Sequence, residues 1–193
     1  WQDLGVVDED IALLPQPGGH WPLQTRTVVL RGAQQEPLAV LRVQTNRTPY
    51  GWAPNVLWPQ GCPAQRGVLV EDATRGDPTR VDCLRFKLWP ERGQWLAQDQ
   101  PALAQWLHSQ QLAIATPHSY LGYRYTTAAG ATVAVDVLVD QRLLLPRSSG
   151  SVTFLLAGRP ALDWGRELAR AARVSVGLVN GVLTLPPFPY ALP

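Results

Sequence analysis

The sequence contains no methionine, a single lysine (Lys87) and two cysteines, and it lacks any long uninterrupted apolar run. Each absence excludes something. Without a methionine even at position 1, the chain reads as a processed product or an excised domain, with a signal peptide or N-terminal membrane anchor removed. No apolar stretch approaches the ~20 residues that cross a bilayer. The longest candidate, Val174 to Leu185, is interrupted by Ser175, Gly177, Asn180 and Gly181, so the chain as given is expected to be soluble. The net charge of +2 is too small for a nucleic-acid surface. Arginine supplies nearly all of the 17 basic side chains, and with the abundant Ala, Leu, Pro and Trp this reads as the product of a GC-rich bacterial gene.

Catalytic signatures are also missing. There is no GxSxG, Walker A or GxGxxG pattern, and His20, His108 and His118 form no HExxH or HxH pair. No metal and no cofactor is expected. Asp136 and Asp140 make the most enzyme-like pair, but four residues apart on a strand they sit roughly 13 Å apart at Cα. They are read as the wet face of a half-exposed sheet. Asn46-Arg47-Thr48 is an N-glycosylation sequon, which matters only in a eukaryotic secretory context.

What is present is a chain of hairpins. Val133, Val135, Val137 and Val139 alternate on one face of a strand. Tyr120 to Thr127 is its partner across Ala128-Ala129-Gly130, and this hairpin is the expected centre of the sheet. Leu23 to Arg31 pairs with Leu38 to Thr45, and Gly67 to Glu71 with Arg80 to Leu88. Val152 to Ala157 reads as a further strand. Val174 to Leu185 reads as a last hairpin turning at Asn180-Gly181, chosen over a helix end. Helices fit 100–111, with Asp99 as N-cap and an apolar side of Leu103, Trp106 and Leu107, and 161–173, with Leu162, Trp164 and Leu168. Arg166, Arg170 and Arg173 line another side of the second helix and read as a solvated face.

The expected fold is α+β. Mostly antiparallel β-hairpins form one sheet, with the two helices packed on one face. A single domain spans 1–193, with an irregular lead-in over 1–21, one helical turn near Ile11 to Leu14, and an extended apolar tail over 186–193.

Cys62 and Cys83 are expected to form a disulfide, closing a loop of about 22 residues worth ~3 kcal/mol in the chain-entropy model. Pairing fits an exported protein. Cys83 falls on the face opposite Leu84, Phe86 and Leu88, which reads as the less buried one. The Pro-rich segment Asn46 to Arg66 carries Tyr50, Trp52 and Trp58, rings that either seal the core or form a recognition surface. Phe188 and Tyr190 are candidate anchors in the tail.

Three functions are compatible with this. The first is a non-enzymatic bacterial envelope subunit, periplasmic or secreted, that holds a protein partner through the Trp/Pro loop and the tail. The second is a glycan- or ligand-binding module built on Tyr50, Trp52 and Trp58. The third is a hydrolase with a dispersed site, His118 with Asp136 or Asp140.

Overall fold

The computed structural model describes residues 1–12, 20–46, 62–75, 77, 80–88, 94–112, 117–127, 129–145, 158–176 and 181–190. The strands are β1 (Gln2–Ala12), β2 (His20–Arg31), β3 (Pro37–Asn46), β4 (Leu69–Asp72), β5 (Val81–Lys87), β6 (His118–Thr126) and β7 (Thr132–Asp140). They form one antiparallel sheet in the order β1-β2-β3-β7-β6-β5-β4. The fold is α+β, and the valine-rich β7 stands at the centre of the sheet, between β3 and β6.

Two meanders, β1–β3 and β4–β7, meet along the β3–β7 ladder, where Leu41 faces Val137 and Val43 faces Val135. The chain therefore leaves β3 in the middle of the sheet and starts again at its far edge in β4. Four inter-strand steps of about 4.8 Å lie between, which no tight turn can span. That topology accounts for the long Pro-rich connection after Asn46. The β6–β7 turn is short, and Gly130 takes the positive φ (81°) it requires.

Helices cover the sheet on both faces, not one. α4 (Arg159–Val176) presents Ala161, Trp164, Leu168, Ala169 and Ala172 at 3–4 spacing. These pack on Leu41, Leu84, Phe86, Leu121 and the odd-numbered valines of β7. Burying Trp164 and Leu168 contributes roughly 1.5–3 kcal/mol each. On the opposite face, α1 (Gln94–Asp99) and α2 (Pro101–Ser109) set Trp95, Leu103 and Leu107 against Val29, Val40, Tyr120 and Leu138. The sequence pattern shows that each helix has one apolar side. It does not show which face of the sheet that side meets, because Val29, Val40, Tyr120 and Leu138 give the second face an apolar patch as well.

Three sequence expectations change. The lead-in is a strand: β1 pairs with β2 from Gln2 to Ala12, and Ile11 and Ala12 belong to it rather than to a helical turn. A ladder partner outweighs weak β propensity. The helix expected over 100–111 is α2, and a further helix, α1, precedes it across Gln100, whose φ of −135° and ψ of 55° are not helical. Proline disfavours the α region for the residue before it, so Pro101 forces the break. Asp99 thus ends α1 instead of capping α2. Finally, Val174 to Val176 continue α4, and residues 181–188 run without strand pairing, so no hairpin joins Val174 to Leu185. The proposed strand over 152–157 lies outside the described residues. A short α3 (Gln141–Leu144) follows β7 directly, with Asp140 as its N-cap.

Candidate functional site

Cys62 and Cys83 are bonded, with S–S 2.02 Å and Cα–Cα 5.5 Å. Cys83 sits in mid-β5 between Asp72 and Arg124 on neighbouring strands. It faces away from Leu84 and Phe86 as expected, yet it is buried. The bridge pins the end of the β3–β4 connection to the sheet just before β4 begins. Such a bridge fits an oxidising, exported compartment. Among the described residues no helix is long and apolar enough to cross a membrane.

Tyr50, Trp52 and Trp58 lie outside the described residues. The connection that carries them is fixed where it departs: Asn46 Nδ2 donates to Gly130 O (2.8 Å) and Asn46 Oδ1 accepts from Thr132 N (2.9 Å). The side chain of the sequon asparagine is therefore occupied by the β6–β7 turn.

Phe188 and Tyr190 are used inside the molecule. The Phe188 ring stacks between Trp164 (4.9 Å) and Trp1 (6.1 Å). Trp164 Nε1 donates to Pro186 O (3.1 Å), and Tyr190 N donates to Leu143 O (3.2 Å). The tail crosses the face that holds α4. Between Gly181–Leu185 and strands β1–β3 it leaves a groove of about 510 Å³, walled by Val28, Leu41, Val43 and Val182 among others.

Asp136 and Asp140 are not on a wet face. They are 4% and 3% exposed, because α1 and α2 cover the face that the alternation left polar. Asp136 accepts from Tyr120 Oη (2.9 Å) and from Arg124 Nη2 (2.8 and 3.0 Å). Burial drives the Tyr120 phenol's pKa far above its ordinary value. Asp140 is held by Arg142 (2.6 Å). His118 is 6% exposed, and neither ring nitrogen has a hydrogen-bond partner. Burial lowers its pKa, against a smaller opposing pull from Asp140. The three groups thus form no catalytic relay. Among the described residues, no group of three His, Cys, Asp or Glu side chains has a geometry that could hold a metal.

Two arginines of α4, Arg166 and Arg173, are tethers to the sheet. Arg166 reaches Glu71 of β4 and Asp163 of its own helix. Arg173 reaches Asp82 of β5 (2.9 Å) and lies over the Tyr125 ring.

Among the described residues, β1 groups three exposed apolar side chains on one strand, which the sequence reading missed; Trp1, Leu69, Val174 and Val182 are exposed elsewhere. β1 is an edge strand of eleven residues, paired only with β2. Leu4, Val6 and Val7 are 36%, 50% and 59% exposed. A register shift between Asp3 and Val6 centres on Gly5 (φ 94°). Two of its acids are paired: Asp3 with Arg26 at the surface, and Glu9, whose Oε2 accepts from Arg42 (2.9 Å), Thr25 (2.7 Å) and Gln44 (2.7 Å). Adjacent Val6 and Val7 were the available signal, masked by the acidic run Asp8-Glu9-Asp10. The opposite edge, β4, is only four residues long.

The chain matches no protein-family model, and neither the curated proteins nor the solved structures contain a significant match.

Proposed function

We propose that this chain is a non-enzymatic subunit of a bacterial envelope assembly, periplasmic or secreted, and that it takes an extended segment of a protein partner along β1. The observation that carries the reading is the β1 edge. Natural sheets guard their edges with short strands, charges, bulges, proline or a covering element, and β1 carries two of these, its four acids and the register shift at Gly5. β1 is long and has neither lysine nor proline, and its exposed valines lie on both sides of the sheet. A partner strand added there gains main-chain hydrogen bonds from the edge and apolar contacts from Val6 and Val7. The strand carries Asp3, Asp8, Glu9 and Asp10 and no base. Like charges opposed across a ladder are unfavourable, so a basic partner strand fits better than a second copy of β1. The disulfide supports export, and the self-docked Phe188 and Tyr190 move the expected interface from the tail to β1.

The test is site-specific photocrosslinking in cells, with the reactive side chain placed in turn at Leu4, Val6 and Val7. One partner segment should crosslink at all three, advancing along its own sequence in antiparallel or parallel register. Val6→Lys with Val7→Lys should abolish capture without lowering stability. Scattered products, or capture unaffected by the lysines, would sink the reading.

A further inference from the structure

The unpaired imidazole of His118 stands at a junction. Directly across the ladder from it is Asp140, and paired residues of antiparallel strands share a face. Asp140 is committed elsewhere. Its Oδ1 accepts from Arg142 N (2.9 Å) and Nε (3.0 Å), and its Oδ2 accepts from Arg142 Nη2 (2.6 Å). The same carboxylate is the N-cap of α3, and α3 holds the tail through Leu143 O and Tyr190 N. One carboxylate therefore links a buried histidine, an exposed arginine and the outer end of the tail.

Other charges near this corner are already engaged. Among the described residues, β7 presents Asp140 to the imidazole, and α3 presents Arg142 through it. Lys87 of β5, across from Tyr120, lies over the Trp95 ring and donates to Gly67 O. Asp136, further along β7, is held by Tyr120 and Arg124. Glu36, from the turn between β2 and β3, also acts on Arg142; among the described residues, the acid directly across the ladder from a protonated His118 is Asp140.

We propose that His118, Asp140 and Arg142 form an acid-operated latch on the C-terminal segment. Protonated His118 competes with Arg142 for the Asp140 carboxylate, the α3 cap loosens, and Tyr190 leaves Leu143. The step moves one proton from solvent to the imidazole and exchanges one ion pair for another. Opening starts the release of the tail from the apolar face it crosses, next to Val28, Leu41 and Val43. Burial of the imidazole sets the trigger on the acid side of neutrality, a range that an exported protein meets when its surroundings acidify.

The test is amide hydrogen exchange followed by NMR on the purified, disulfide-intact chain at pH 7.5 and pH 5.5, corrected for intrinsic rates. Tyr190 protection should fall at least tenfold, and by more than any fall in the amides of β7. Asp140→Asn, which retains a capping side chain but not the charge, should flatten the response at Tyr190, as should His118→Gln. Unchanged protection at Tyr190 would overturn the latch. So would a fall in β7 as large as that at Tyr190, which would reduce the response to the general loss of stability in acid. A response that survives in Asp140→Asn would overturn it as well, and that variant decides the matter should His118→Gln fail to fold.

Discussion

The phenol of Tyr120 lies across Gly122 and donates to Asp136 Oδ1 at 2.9 Å. A side chain at Gly122 would collide with that hydroxyl, so the glycine is there for the close approach of the ring. Asp136 faces Gly122 across the ladder, and Arg124 closes the group from the same strand as Tyr120. Buried polar groups stay favourable only while every member is paired.

Breaking this group is therefore expected to be costly. Asp136→Ala should lose about 3–5 kcal/mol, because the Arg124 charge is left without its partner. Tyr120→Phe should lose about 1.5–3 kcal/mol, the range for a hydrogen bond to a charged group. Urea unfolding of the variants measures both, and a loss below 1 kcal/mol for Asp136→Ala would show that the group does not hold the face together.

Reduction should loosen the β3–β4 connection without dismantling the central sheet. The Cys62–Cys83 bridge spans 21 residues of sequence, and its removal should cost about 3 kcal/mol. Cys62→Ser should show the same loss under oxidising conditions, and added reductant should then change nothing further. Additivity of the two treatments would mean that the reductant acts elsewhere.

The tail should behave as part of the fold. Phe188→Ser removes a ring stacked on Trp164 and Trp1 and should cost about 1.5–3 kcal/mol. Trp164→Phe, which keeps an aromatic ring but loses the bond to Pro186 O, should cost about 1 kcal/mol through that bond. Near-ultraviolet circular dichroism reports the loss of the stack, and an unaltered spectrum in Phe188→Ser would place the ring in solvent.

Acid should destabilise the chain through His118. Its pKa is lowered in the folded state by burial, so below about pH 6.5 the unfolded chain binds the proton more readily. Stability then rises with pH wherever the unfolded state holds more protons. The contribution is complete above the unfolded pKa and is lost as pH falls through and below it. His118→Gln should flatten the dependence of the urea midpoint between pH 7 and pH 5. An equally steep slope in the variant would assign the acid sensitivity to other groups.

Much of the sheet was legible because its signals are local. The alternation of Val133 to Val139, the glycine at position 130 and the β-rich run of β6 define a hairpin whatever surrounds it. The disulfide was legible for a similar reason, since two cysteines in an exported chain have few alternatives. β1 was not legible. Its acidic residues resemble a solvated lead-in until Arg26, Arg42 and Thr25 are brought beside them. The wet-face reading of Asp136 failed in the same way, for nothing in the alternation tells that α1 and α2 pack on that side.

The sequence by itself determined the hairpin of β6 and β7 with the hairpins of β2–β3 and β4–β5, the apolar side of α4 and the cysteine pair, because each depends on neighbours in the chain or on residue type alone. Only the tertiary structure decided which face each helix covers, that the apolar tail is docked on its own domain, and that an edge strand is left open. Those outcomes depend on which distant surfaces compete for the same apolar area. A one-dimensional pattern records that a side chain must be buried, and the packed chain decides against what.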